Sequence, residues 1–312
     1  MRILVVGAGS IGGYFGGRLL EAGRDVTFLV RQHRAEKLAT QGLVVKSSVG
    51  DLSVSNPATV IAGNLKQHYD LVLLSCKAYD LEQAITDFSP AVGPSTRILP
   101  LLNGMRHMEM LDNRFGSGRV LGGLCMIATS LNSDGEIVHT GRLQSLTLGA
   151  RDPQNEGFAG EVEKTFSGAD FEVIRSNLIV QEMWEKWVFI ATNAGLTTLM
   201  RAPIGDIVEA GGNDVAEALL DECNAISNAC GYPVRPEVLK RFRKMFTAAG
   251  SPMTASLFRD LEGGGKIEAD HIIGDMLGRA SDMASASVLR IAFVHMRAYE
   301  ARRRRLAESD GR

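Results

Sequence analysis

Four consecutive apolar residues, Ile3-Leu4-Val5-Val6, open the chain, and its first half keeps returning to such short apolar runs between stretches at helical spacing. Runs of this length bounded by turn residues predict buried strands, and their alternation with helices predicts a parallel sheet covered by helices. The strands fall at residues 2–6, 26–30, 71–76, 97–101, 120–129, 145–149 and 171–174. Residues 43–46 and 52–54, flanking the segment 47–51, predict a hairpin inserted after the second helix. From about residue 178 the pattern changes. Stretches at 214–229, 236–246 and 269–283 carry apolar positions at helical spacing, divided by turn signals at Gly231-Tyr-Pro233 and Gly263-Gly-Gly265. The expected organisation is an N-terminal α/β domain, residues 1–176, followed by an all-helical domain, residues 177–312.

Composition narrows what such a chain can do. With 312 residues and a formal net charge of −2, it is long enough for two domains and has no global attraction for nucleic acid or anionic membranes. No apolar run approaches membrane-spanning length and the N-terminus enters a strand directly, so a soluble, cytoplasmic protein is expected. Cys76, Cys125, Cys223 and Cys230 form no CxxC pair and read as reduced core thiols, the last two sharing one helix face. The scattered histidines show no metal-binding spacing, so no metal is expected. The basic run 302–305 reads as a solvated helix end.

The first strand leads at once into Gly7-Ala8-Gly9-Ser10-Ile11-Gly12 and then a helix running to about residue 22. In this context Gly7 permits the tight turn and Gly9 lets the backbone approach a pyrophosphate. Gly12 lets the helix pack on the strand, while the first helical amides, at Ser10 and Ile11, face the anion. Gly13, Gly16 and Gly17 extend the close packing. This predicts a Rossmann-type dinucleotide site. The second strand ends in Arg31, with Arg34 close behind, where an NAD site would carry an acid. A guanidinium suits a 2′-phosphate, so the expected cofactor is NADP(H), the alternative being that Arg31 is a plain surface charge.

Other residues fall where ligands bind in open α/β sheets. Lys77 follows the strand ending in Ser75-Cys76, and Asn103 follows the next one beside Gly104. Lys186 lies in Met183-Trp-Glu-Lys-Trp-Val-Phe-Ile190, too apolar a helix to be fully exposed. Two readings stay open: a lysine with a carboxylate partner or shifted pKa, or one whose stem packs while its head reaches water. Glu268, at the start of a later helix, is a plausible partner.

These motifs, with Trp184-Glu-Lys186 and Ser256-Leu-Phe-Arg-Asp260 leading to Glu268, resemble the ketopantoate reductase (2-dehydropantoate 2-reductase) family over nearly the whole chain. That resemblance implies NADPH-dependent reduction of a branched 2-oxo acid on the route to pantothenate. It implies Lys186 as general acid, Glu268 holding it charged and oriented, Asn103 near the reacting centre and the cofactor, Ser256 on the substrate carboxylate, and Arg31 and Lys77 on the cofactor side.

The chain departs from the family where the substrate is recognised. Ile190 and Ala194 stand where family members commonly carry asparagines one and two turns after the lysine, and Asn193 is the nearest amide. A less polar pocket gains little from a substrate hydroxyl, which favours a more apolar oxo acid. Two rival readings are a β-hydroxyacid or glycerol-3-phosphate type dehydrogenase and a non-catalytic NADP(H)-binding sensor. A small-molecule oxo acid is the expected partner, and a homodimer the expected assembly.

Overall fold

A computed structural model describes residues 1–282 and 286–310, and divides the chain into two compact units. The first comprises Met1–Leu102 and His107–Val180, the second Asn103–Arg106 and Gln181–Arg312.

The first unit begins with β1 (Arg2–Val6), α1 (Ser10–Glu21), β2 (Asp25–Leu29), α2 (Gln32–Gln41), β3 (Leu43–Ser47), β4 (Leu52–Val54), β5 (Thr59–Val60) and β6 (Leu71–Leu74). It continues through α3 (Leu81–Phe88), β7 (Arg97–Pro100), α4 (Arg106–Phe115), β8 (Gly122–Leu131), β9 (Ile137–Gly149), α5 (Glu156–Phe166) and β10 (Glu172–Arg175). Strands β5, β2, β1, β6 and β7, in that order, form an all-parallel sheet. β2 and β6 flank β1 on opposite sides, so the strand order reverses at β1 and the glycine turn leaves its carboxyl end.

The single parallel sheet of the sequence reading is here two sheets. Strands β10, β9, β3 and β4 form the second, with β8 also paired to β9, and it is mixed: β8 with β9 and β3 with β4 run antiparallel. Apolar runs report burial but not which sheet buries them. The expected strand at 145–149 is the buried end of β9, whose residues 140–143 are exposed and gave no apolar signal. β5, only two residues long, was missed for want of any period to read.

Helix α1 explains its glycines. A Cβ at Gly12 or Gly16 would strike the first sheet, at 3.1 Å from Val5 Cγ1 and 2.6 Å from Phe28 Cε1 respectively. A Cβ at Gly13 or Gly17 would strike the second, at 2.4 Å from Ile137 Cδ1 and 2.9 Å from Leu52 Cδ2. Two glycine pairs at i, i+4 spacing thus let one helix lie between two sheets. Sequence reasoning had assigned all four to a single strand.

The second unit is helical: α6 (Ile179–Met200), α7 (Ile204–Glu209), α8 (Asn213–Ala229), α9 (Pro236–Phe246), α10 (Ser256–Glu262), α11 (Asp275–Gly278) and α12 (Ser287–Asp310), with a π-helical turn at Asp270–Gly274. The helix expected over 269–283 is therefore only this turn and α11, and Met283 lies outside the described residues. Gly274 and Gly278 weaken a regular helix, and a Cβ at Gly274 would come within 2.9 Å of Phe293, so the backbone is pressed against α12. None of the four cysteines forms a disulfide. Cys223 is buried on α8, its thiol pKa pushed up to about 12 by desolvation, and Cys230 is the half-buried residue that caps the helix.

Candidate active site

In the first unit the turn after β1 is held from three directions. Gly7 has φ +92°, which only glycine adopts without strain, and its N–H donates to the Leu29 carbonyl at 2.9 Å. The Ser75 hydroxyl donates to the Val6 carbonyl at 2.9 Å. Arg34 donates from Nε to the Ala8 carbonyl at 3.1 Å and from Nη1 to Gly135 at 3.0 Å. Arg34, close behind Arg31 in the sequence, thus spends donors on the turn itself, and burial lowers its pKa.

The glycines fit a bound dinucleotide unequally. A Cβ on Gly12 would fall 2.2 Å from the Gly7 carbonyl oxygen, so that position is packed shut by backbone; one on Gly9 would meet no protein atom within 4 Å. Gly9 is therefore not required by internal packing, which leaves close approach of a ligand as its physical reason. Helix α1 has no side-chain cap and no acid in its first turn, so neither kind of group competes with an anion for the amides at Ser10 and Ile11.

Arg31 caps α2, its side chain 73% exposed, and forms an ion pair with Asp80 at 2.9 Å. Hydrogen bonding to Asp80 is the main cause of its raised pKa. The half-buried Lys77 precedes the short turn Ala78–Asp80 that carries Asp80. β2 and the segment after β6 are thus tied together across the end of β1. Nothing in the sequence pattern singled out Asp80.

In the second unit, Lys186 sits half-buried on α6 between neighbours that are fixed. Trp184 and Trp187 are buried, and the Trp187 indole donates to the Ile272 carbonyl at 2.9 Å. Glu185 is buried and accepts from Arg235 Nε at 2.7 Å and Nη2 at 2.6 Å; desolvation raises its pKa, but the bonds from Arg235 outweigh this and hold it below the usual carboxylate range.

Ile272 belongs to the π-helical turn that follows Glu268, whose carbonyl accepts the Ile272 N–H at 3.0 Å. His271, on the same turn, is buried, and a ring nitrogen is hydrogen-bonded to the Asn103 backbone. Burial lowers its pKa, opposed by Glu268 and Asp275. Gly104, at φ +82°, lies so close that a Cβ there would be 3.1 Å from the His271 carbonyl oxygen. The turn at 270–274 therefore gathers Asn103, Glu268 and the residue beside Lys186. Insertions of this kind recur at functional sites. No sequence pattern points to His271, because a π-turn has no apolar period of its own.

Asn193 lies seven residues after Lys186, two turns and about 10 Å along the same face of the helix. It is buried, and among the described residues its Oδ1 has no hydrogen-bond partner. Thr197 donates to the Asn193 carbonyl at 2.7 Å and accepts from the Ala255 N–H at 3.3 Å, which links this part of α6 to the exposed Ser256 at the start of α10. Ala194 is fully buried and Ile190 partly so. Among the described residues no His, Cys, Asp and Glu group could hold a metal ion, and no helix is long and apolar enough to cross a membrane.

Comparison with known proteins decides what this arrangement belongs to. Residues 3–153 match the family Ketopantoate reductase PanE/ApbA, and residues 178–299 match Ketopantoate reductase PanE/ApbA C terminal. The chain belongs to the ketopantoate reductase family. Among its relatives, the Bacillus subtilis (strain 168) protein named "Uncharacterized oxidoreductase YkpB" is 39% identical over 303 residues, covering 96% of this chain and 99% of that one. A 2-dehydropantoate 2-reductase of Pyrococcus abyssi is 28% identical, covering 89% and 90%. The crystal structure of 2-dehydropantoate 2-reductase from Geobacter metallireducens GS-15 superposes with a TM-score of 0.84 at 26% identity, covering 96% of this chain and 99% of that one. The ketopantoate reductase assignment makes this an oxidoreductase and leaves its substrate to be argued from the site.

Proposed function

We propose that the protein is a cytoplasmic reductase that converts a 2-oxo acid to the 2-hydroxy acid with NADPH, 2-dehydropantoate being the leading substrate. The observation that carries this reading is the gathering of Asn103, Glu268 and the Lys186 segment about one buried turn of the second unit. Bound NADPH would supply the hydride. Gly7, Gly9, Ser10, Ile11 and Gly12 would hold its pyrophosphate, and Arg31 and Lys77 its other anionic groups.

Lys186, as the ammonium, protonates the carbonyl oxygen as hydride reaches the carbon, and its charge stabilises the developing alkoxide. Glu268 keeps that ammonium charged and oriented. Asn103 donates to the reacting oxygen, while Ser256 and Asn193 bind the oxo acid. Solvent then restores the proton to Lys186.

Ile190 and Ala194 favour an oxo acid more apolar than ketopantoate as a second reading, since neither donates to a substrate hydroxyl. A panel of 2-oxo acids, with NADPH and NADH in parallel, tests both. Turnover confined to phosphorylated substrates would place the protein with the glycerol-3-phosphate type instead, and cofactor binding with no turnover on any oxo acid would make it a sensor. A homodimer is also proposed, and sedimentation equilibrium tests it.

A further inference from the structure

Arg31 is the group expected to meet a 2′-phosphate, yet it is already engaged. Its Nη2 lies 2.9 Å from Asp80 Oδ1, with the arginine side chain 73% and the aspartate 34% exposed. Asp80 is held in place by the backbone, since the Asp80 N–H donates to the Lys77 carbonyl at 2.9 Å and the residue immediately precedes α3. Although Asp80 stands at a helix N-terminus, its side chain makes no capping bond. The carboxylate is therefore turned to the guanidinium and not spent on the helix.

A phosphate monoester carries close to two negative charges at neutral pH and takes guanidinium donors in pairs. To reach Arg31 it must either displace Asp80 or sit beside it on the same guanidinium. Displacement sacrifices an ion pair, and sharing sets a carboxylate next to a phosphate. Both oppose binding of the phosphorylated cofactor. Neither acts against a ribose bearing a free 2′-hydroxyl, from which a carboxylate accepts a hydrogen bond.

We propose that Asp80 is a specificity-determining residue that restrains the preference for the 2′-phosphorylated cofactor by competing for Arg31. This rests on the reading of Arg31 as the 2′-phosphate ligand. The competition is electrostatic and exposed, so it is modest and screened by salt.

The test is the binding of 2′,5′-ADP and of 5′-AMP, measured by calorimetry, to wild type, Asp80→Asn and Arg31→Ala at low and at high ionic strength. These ligands differ only in the 2′-phosphate and need no turnover. Asp80→Asn should bind 2′,5′-ADP about three- to tenfold more tightly at low salt. Its 5′-AMP affinity should be unchanged or weaker, and the gain in 2′,5′-ADP affinity should shrink as salt rises.

Weaker 2′,5′-ADP binding by Asp80→Asn would overturn the proposal and make Asp80 a residue that pre-positions Arg31. Unchanged binding of 2′,5′-ADP by Asp80→Asn, with a loss in Arg31→Ala, would also overturn it while leaving the Arg31 reading intact. If Arg31→Ala itself binds 2′,5′-ADP as well as wild type, the Arg31 reading fails, and the proposal fails with it. Thermal unfolding of each variant, without ligand, checks that the fold is retained.

Discussion

The two units build their sites by different means. In the first, backbone makes the site: one glycine is locked by packing, another is open, and the side chains around them mostly hold carbonyls in place. In the second, the proposed site is made of side chains from segments distant in sequence, Asn103, Lys186 and the turn after Glu268. A backbone site is written locally and survives many substitutions around it. A side-chain site depends on long-range packing, so its residues can change while the fold persists.

The sharpest way to break this contrast is Lys186→Ala. In the proposed function the second unit's chemistry rests on that ammonium, so kcat should fall about a hundred- to ten-thousandfold while NADPH affinity stays within a few fold of wild type. Steady-state kinetics and cofactor titration read the two separately. Parallel losses in both would mean that Lys186 serves the fold or the cofactor.

Next in size is a pair of alanines in the glycine turn. Gly12→Ala places a methyl 2.2 Å from a backbone oxygen, which cannot move aside cheaply, and should cost about 1–3 kcal/mol of stability. Gly9→Ala meets no protein atom within 4 Å, so its melting temperature should match wild type while NADPH binding weakens severalfold. Differential scanning calorimetry with cofactor titration separates the two. Equal destabilisation by both would erase the distinction between a packed and an open glycine.

Glu185→Gln probes what fixes the neighbourhood of Lys186. The carboxylate is buried and bonded to Arg235, so the amide should cost about 1–3 kcal/mol at neutral pH. Because the folded carboxyl titrates below its ordinary range, its contribution is complete above the ordinary carboxylate pKa and is lost as pH falls through the lowered folded value. The gap between wild type and variant should therefore narrow on acidification, as urea unfolding at pH 7 and pH 4 would show.

The smallest expected effect is that of Asn193→Ala. Removing an Oδ1 that has no partner among the described residues should leave stability within about 0.5 kcal/mol. If the amide contacts the oxo acid, KM should rise severalfold with kcat little changed. An unaltered KM would leave this end of the pocket wholly apolar.

The same contrast explains what could be read beforehand. β1, the glycine turn and α1 were legible because each depends on a few adjacent residues, and the hairpin of β3 and β4 was legible from two apolar runs around a turn. Which sheet a strand joins was not, because apolarity carries no partner label. Lys186 and Glu268 could be singled out by residue type and resemblance to a family. The turn that gathers Asn103 and Glu268 could not, because His271 and Gly274 matter only through what packs on them. Asp80 escaped notice for a similar reason, since an acid beside a basic residue in space leaves no trace of that proximity along the chain.

Both tryptophans of the chain, Trp184 and Trp187, lie on α6 on either side of Lys186, and the first unit has none. Tryptophan emission, excited at the red edge where tyrosine scarcely absorbs, is therefore a private signal of the second unit, whereas far-ultraviolet circular dichroism sums over both. Comparing the two melting curves asks whether the units denature as one cooperative block or in sequence. Emission shifts on adding an oxo acid would report from within a helical turn of the lysine proposed as its proton donor, with no label attached.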